Sequence, residues 1–374
     1  MGIYHVGVLA GDDIGPEIVP QAVRVLAAAA EITPGLEIKF GDFPIGAAAY
    51  RATGHTLPPG TLEKLAETDG WILGPIGHAA YPRNDPDAIN PHPIIRRHFD
   101  LFANVRPARS IQGIHALHQN VDLVIVRENN EGMQPDRNMF KGSGEFMPTP
   151  EMALSIRVIT RHGSGRIARA AFELARAREK ARATAGITHP IGDGPRVTII
   201  HKRTVFKLSC GLFVDTAREV AAQYPEVQVD EHQVDSFACA LVMKPQTFDV
   251  VVVTNMFGDI LSDLAAGLVG GLGLAPGLNV GERYAMAQAT HGSAPDIAGR
   301  NIANPYAIMI SAEMMLDWLG QRRCDTAAIR AAQRIEQAIY RVIAENIART
   351  PDLGGRATTT EFGDAVVDLI RSSA

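Results

Sequence analysis

Cysteine is scarce in this chain of 374 residues: there are three, Cys210, Cys239 and Cys324, an odd number without metal-type spacing. That argues against a disulfide framework or a cysteine-built metal site and points to a reducing, cytoplasmic setting. No apolar run approaches the roughly 18 residues that a membrane helix needs, so no membrane partner is expected. Positive charge is not concentrated anywhere, and the formal net charge is -5. A nucleic-acid partner therefore lacks its usual basic footprint. The opening "MGIYHVGVLAGDD" has neither a basic n-region nor a long apolar stretch, so it does not read as a signal peptide. Val6, where a myristoylation motif has Ser or Thr, weakens that reading of Gly2. No internal repeat and no low-complexity segment stand out.

What the chain does have is length and apolar content, 46% of residues, enough for a sizeable core and about two to three domain-sized units. Short runs rich in Val and Ile ("YHVGVLA", "GWILGPIG", "VDLVIVRE", "RVTIIHK", "FDVVVVTN") read as strands. Between them, "GPEIVPQAVRVLAAAA", "TLEKLAETD", "SGRIARAAFELARAREKARA" and "CGLFVDTAREVAAQY" have helical periodicity, with Pro20 expected to limit or bend the first of these near its start. The alternation predicts an α/β protein with substantial parallel sheet. The tail "CDTAAIRAAQRIEQAIYRVIAENIA" predicts an amphipathic helix capped by Asp325 or Thr326. Residues 128–163 begin rich in Gly, Pro and Asn and turn apolar and β-branched. They read as a loop and then a strand or arm leaving the main sheet, either a dimer contact or a surface hairpin.

"TNMFGDILSDLAAG" poses the chemical question. Asp259 and Asp263 lie four residues apart in an apolar helical pattern, one above the other on a helix, where two carboxylates repel. A hard divalent cation, Mg²⁺ or Mn²⁺, takes one or two carboxylates and would relieve that repulsion. A solvated helix face, or Asp259 as a cap, is the plainer account of the spacing taken alone. The pair follows the strand "FDVVVVT", and open α/β sheets bind ligands beyond the carboxyl ends of strands. Asp235, in "QVDSFACALV", supplies a further carboxylate upstream.

"NMFGDILSDLAAGLVGGLGLAP" resembles the signature of the metal-dependent β-decarboxylating 2-hydroxyacid dehydrogenases, the isocitrate/isopropylmalate dehydrogenase family, which includes homoisocitrate, tartrate and D-malate enzymes. Further blocks agree in order: "LAGDDIGPE" (9–17), "RRHFDLFANVRPAR" (96–109), "VDLVIVREN" (121–129), "HKRTV" (201–205), "THGSAPDIAGRNIANP" (290–305) and "DLGGRATTTEFGDAV" (352–366). The resemblance covers nearly the whole chain. It implies an isopropylmalate dehydrogenase-like two-domain α/β fold with non-Rossmann dinucleotide binding. "GDDIGPE" then serves as a strand-to-helix turn and not as a dinucleotide fingerprint. The expected large, cofactor-binding domain is 1–101 with 270–374, and the small domain is 102–269 with a dimer-contact arm near 130–160. The expected assembly is a homodimer whose active sites are built from both subunits.

Residue by residue, the resemblance makes Arg96, Arg106 and Arg127 the binders of substrate carboxylates, which suits a guanidinium's fixed charge and bidentate geometry. Taken alone, surface arginines in salt bridges would be the plainer reading. Asp259 and Asp263 match the metal carboxylates, joined by Asp235 from the second subunit. Lys202, also from the partner, matches the catalytic lysine that shuttles the hydroxyl proton. A solvated lysine at a strand end is the alternative. The cofactor is expected along 290–305, with main-chain groups of His291, Gly292 and Ala294 near the adenosine and Asn304 near the adenine. Asp296 there accepts from ribose hydroxyls and repels a 2′-phosphate, implying NAD. Asn90 and His92, in "DAINPHPIIRRH", stand where relatives set substrate specificity, and predict a small or polar substituent instead of an isopropyl group. For His92 an unliganded loop histidine is the alternative.

Three positions depart from the family pattern. Gln134 replaces the tyrosine that acts as an acid toward the enol carbon, and an amide cannot donate a proton as a phenol does. Thr204 replaces an asparagine, and Gln288 replaces a glutamate. Asp13 for glycine is a smaller change. The expected activity is NAD- and Mg²⁺- or Mn²⁺-dependent oxidation of a small 2-hydroxydicarboxylate, with decarboxylation. Gln134 keeps two alternatives open: oxidation without efficient decarboxylation, and a non-catalytic member of the family.

Overall fold

The computed structural model describes residues 2–134, 139–188, 191–192 and 194–373, so positions 135–138 of the expected arm lie outside the described residues. The chain divides into two compact units. The first comprises 1–99, 111–116 and 270–374; the second comprises 100–110 and 117–269.

The first unit opens with β1 (Gly2–Leu9), α1 (Gly15–Glu31), β2 (Leu36–Asp42), α2 (Gly46–Thr53), α3 (Thr61–Leu65), β3 (Gly70–Leu73) and α4 (Pro91–His98). Strand β1 pairs in parallel with both β2 and β3. "GDDIGPE" is the turn from β1 into α1. Helix α1 runs through Pro20 without ending there, so Pro20 does not limit the helix near its start. Pro20 projects from an exposed position, and the buried face of α1 (Ile18, Val19, Ala22, Val25, Leu26) carries the helix past it.

The second unit begins with β4 (Ala103–Arg109) and β5 (Asp122–Glu128). It continues through β6 (Glu145–Thr149), β7 (Met152–Ser155), α5 (Arg161–Thr184), β8 (Arg196–His201), α6 (Ser209–Ala221), β9 (Gln228–Gln233), α7 (Val234–Met243), β10 (Val250–Val253) and α8 (Asn255–Val269). Its main strands lie in the order β4-β5-β10-β8-β9. All are parallel except β4, which is antiparallel to β5. Parallel strands covered on both faces need no polar alternation, which explains the unbroken "VVVV" and "LVIV" runs. Leu261, Ala265 and Leu268 of α8 pack on Leu123, Ile125, Val251 and Val253. Strands β6 and β7 form a separate hairpin, exposed at every position and bearing Phe146, Met147, Met152 and Leu154. The buried Asp249, entering β10, accepts from Arg178 (2.9 Å) and Arg182 (2.8 Å) of α5.

The chain then returns to the first unit with β11 (Leu278–Val280), β12 (Ala285–Ala287), α9 (Tyr306–Arg323), α10 (Thr326–Ala344) and α11 (Thr359–Ser372). Strand β12 pairs in parallel with β3 and antiparallel with β11, so this unit's order is β2-β1-β3-β12-β11. Helix α9 is buried around most of its circumference, as an apolar helix in a core should be. Asp325 caps α10, accepting from the N–H groups of Ala327 (2.9 Å) and Ala328 (3.3 Å). No helix among the described residues is long and apolar enough to cross a membrane.

One buried carboxyl in the second unit makes stability depend on pH. Glu128, closing β5, accepts from the N–H groups of Asn130 (3.0 Å) and Glu131 (2.6 Å). Burial outweighs these bonds, and with the nearby Glu131 charge it pushes the pKa from 4.5 up to about 7, against the pull of Arg166. The folded state therefore holds a proton that the unfolded state has released. The stabilisation is complete below about pH 4.5 and is lost as pH rises to about 7. Glu128→Gln should flatten this part of the profile. The wild-type thermal midpoint minus that of the variant should fall from about pH 5 to about pH 7. A constant offset would show that Glu128 is not the titrating group.

Candidate active site

In the second unit, four parallel strands deliver chemically capable residues at their carboxyl ends. Arg127 is the penultimate residue of β5, Lys202 follows β8, Asp235 follows β9 in the first turn of α7, and α8 starts two residues after β10. This is the edge at which α/β sheets bind ligands.

Asp259 is the hub. Its Oδ1 accepts from Nη1 of Arg106 (2.9 Å) and from Nη1 of Arg127. Both guanidiniums are buried, 6% and 3% exposed, whereas the side chains of Asp259 and Asp263 are 50% and 51% exposed. Arg106 also donates to Ser262 Oγ (2.7 Å) and, through Nε, to Asn104 Oδ1 (3.1 Å). Arg127 donates through Nη2 to Asn255 Oδ1 (2.6 Å). Asn255, Asp259, Ser262 and Asp263 share one face of α8, at helical spacings of four, three and four that were readable beforehand, although only the aspartates were singled out. Gly258 makes the approach feasible: a Cβ there would lie 2.7 Å from Cγ of Arg127.

The cap alternative for Asp259 fails, because α8 starts at Asn255, a turn earlier. Two hard carboxylates one turn apart and open to solvent suit a divalent cation. Burial, with the adjoining Asp259 charge and against the arginines, holds Asp263 above the usual carboxylate range. Among the described residues no third acidic or imidazole group joins them within the chain. Asp235 instead receives Lys202 Nζ at 2.7 Å, and this bond lowers its pKa. Gln134 donates to Asn255 Oδ1 (3.2 Å), and Thr204 donates to Gln233 Oε1 (2.6 Å).

In the first unit, α4 presents the other expected ligands. Asn90 caps the helix by accepting from the N–H of His92 (3.1 Å). Arg96 is buried, and its Nη2 donates to Gln288 Oε1 (2.7 Å), just past β12. The amide nitrogen of Gln288 lies 2.9 Å from a ring nitrogen of His92. Gln288 thus joins Arg96, the expected carboxylate binder, to His92, the expected specificity residue, and His92 lies on α4 and not in a loop.

The 290–305 segment follows β12. His291 Nδ1 lies 2.9 Å from the Gly292 carbonyl, and burial lowers the imidazole's pKa, favouring the neutral ring. Ala294 is left-handed (φ 45°). Asp296 is exposed. Asn304 donates to Asp352 (2.9 Å) and accepts from the N–H of Tyr306 (3.0 Å), so both ends of its amide are engaged within the protein. The segment is fastened to α1: Glu17 accepts from the N–H groups of Gly299 and Asn301. Sequence reasoning overlooked Glu17 and Asp352, whose partners lie hundreds or dozens of residues away.

Known proteins match this architecture end to end. The family model for isocitrate/isopropylmalate dehydrogenase matches residues 5–366. The isocitrate/homoisocitrate dehydrogenase of Thermus thermophilus is 42% identical over 99% of each chain. The 3-isopropylmalate dehydrogenase of Archaeoglobus fulgidus is 41% identical over 97% of this chain and 98% of its own. Among solved structures, isocitrate dehydrogenase from Methylococcus capsulatus superposes with a TM-score of 0.83 at 37% identity, covering 98% of this chain and 99% of the other. With the family model, the relatives and the solved fold each spanning nearly the whole chain, it belongs to the isocitrate/isopropylmalate dehydrogenase family of metal-dependent oxidoreductases.

Proposed function

We propose that this protein oxidises the C2 hydroxyl of a small 2-hydroxydicarboxylate with NAD⁺ and releases the carboxylate on C3 as CO₂. The observation that carries the reading is the convergence of Arg106 and Arg127 with Asp259 and Asp263 at the strand ends of the second unit. The buried guanidiniums bind substrate carboxylates, and Arg96 is assigned the same task. Asp259 and Asp263 hold the cation. Lys202, steadied by Asp235, accepts the hydroxyl proton. When bound, Mg²⁺ or Mn²⁺ supplies Lewis acidity toward the substrate oxygens and NAD⁺ supplies the hydride acceptor. Asn90 and His92 are assigned to substrate specificity, favouring a small or polar group on C3.

The first unit is read as the cofactor domain and the second as the substrate and metal domain, with the β6–β7 hairpin as a dimer arm. We assign Lys202 and Asp235 to the site of a second copy, because within the chain they pair with each other and not with Asp259 and Asp263. Exposed apolar side chains on α7 (Val242, Met243) and α8 (Met256, Ile260) support such an association.

A second reading has its own observation. Gln134 is tied to Asn255 as a neutral amide, which leaves no acid at that position to protonate C3. Oxidation would then outrun decarboxylation.

The defining assay follows NADH with Mn²⁺ over D-malate, tartrate, isocitrate, homoisocitrate and 3-isopropylmalate. One substrate should turn over, and Asp259→Asn or chelation of the metal should abolish it. CO₂ and NADH should form in equal amounts; an excess of NADH selects the second reading. A preference for 3-isopropylmalate would overturn the assignment of Asn90 and His92. NAD⁺ should exceed NADP⁺ in kcat/KM by at least about tenfold, and Asp296→Ala should narrow that ratio. Equal use of both cofactors would remove Asp296 from the account. Lys202→Met and Asp259→Asn chains should each be inactive, yet mixing them should restore roughly a quarter of wild-type activity if sites are shared across a dimer. No recovery would place each site within one chain.

A further inference from the structure

Arg157 lies between β7 and α5, and no role has yet been given to it. It is half-buried, and its guanidinium sits among neutral groups. Nη1 donates to Ser209 Oγ and to Cys210 Sγ, both at 3.2 Å, and Nη2 donates to Thr254 Oγ1 at 3.3 Å. The plane lies 4.8 Å from the Phe206 ring centroid and 5.4 Å from that of Phe257. Among the described residues no carboxylate pairs with it.

These contacts fall into two groups. Phe206 belongs to the turn that starts at Lys202, whose carbonyl accepts from the N–H of Phe206 (2.9 Å), and Ser209 and Cys210 open α6 just behind it, where Cys210 Sγ accepts from the N–H of Lys202 (3.3 Å). Thr254 immediately precedes α8, and Phe257 lies in its first turn, two residues before Asp259. A guanidinium never sheds its charge, and holding it half-buried without a counter-ion is costly. An apolar side chain would fill the same space at lower cost. What only arginine provides is a rigid planar fork whose two ends reach two separate elements while its faces stack on both aromatic rings.

We propose that Arg157 is a positioning residue that sets the spacing between the Lys202 turn and the amino end of α8. The catalytic part of this inference rests on the roles proposed above for Lys202, Asp259 and Asp263; the clamp itself does not. If Lys202 serves a second copy's site while α8 serves its own, Arg157 ties together elements of two active sites.

The test uses the full chain with Arg157→Lys, which keeps the charge and loses the fork, and Arg157→Met, which keeps bulk and loses both. Hydrogen exchange of backbone amides in 202–210 and 254–258 should accelerate about tenfold in both variants, with α10 unchanged. In the active enzyme kcat should fall about tenfold or more while KM for substrate and for NAD⁺ stays within about threefold, as expected from a small misplacement of reacting groups. Unchanged exchange in those segments would overturn the clamp. Faster exchange with wild-type kcat would overturn its link to catalysis. Faster exchange in an enzyme that turns over no hydroxyacid would leave the clamp standing and instead refute the reading of Lys202 and Asp259. Exchange that accelerates everywhere would reduce Arg157 to a packing residue and overturn the proposal.

Discussion

Two guanidiniums buried under α8 constrain the rest of the site. Arg106 and Arg127 cannot lose their protons, and burying them demands nearby negative charge. Asp259 provides it, and that one carboxylate fixes where α8 must lie on β4 and β5. Gly258 has to be small for the same reason, and Ser262 and Asn255 must present oxygens toward the same side. The arrangement also restricts binding. Under the proposed roles, a cation on Asp259 would weaken the hold of that carboxylate on the arginines, and anionic groups on the arginines would release it. The two events favour each other, and thermodynamics makes that coupling reciprocal.

The fold was legible where burial dictates composition. Strands β5, β8 and β10 are covered on both faces and so are written in Val, Ile and Leu. Helix α10 declares itself by small and apolar residues at helical spacing after Asp325. Pro20 does not limit α1, because the packing of that helix's apolar face decides the matter over a local breaker. In the site, Asp259 and Asp263 could be picked out by their offset of four. Arg106, Arg127 and Lys202 needed the family blocks, since nothing in an isolated arginine or lysine separates a ligand from a solvated surface residue. Gln288, Glu17 and Arg157 act through partners 50 to nearly 300 positions away. Such pairings are set by the tertiary fold and leave no periodic trace in the chain.

The departures from the family pattern place neutral side chains in hydrogen bonds. Gln134 is tied to Asn255, Thr204 to Gln233, and Gln288 to both Arg96 and His92. An amide contributes an acceptor to Arg96 without adding negative charge, so Gln288 orients that guanidinium and does not neutralise it.

The order of the segments has a consequence for how the chain is made. The second unit is inserted between β3 and β12, strands that pair residue 70 with residue 285. On a ribosome, 117–269 has all its strands and helices in place while β3 still waits for its neighbour. Strand β3 is entirely buried in the finished protein, so the waiting N-terminal segment exposes an unpaired apolar edge. A contact that spans so much chain also forms slowly. The inserted unit is therefore free to fold early, and assembly of the outer one is set by the arrival of the last hundred or so residues.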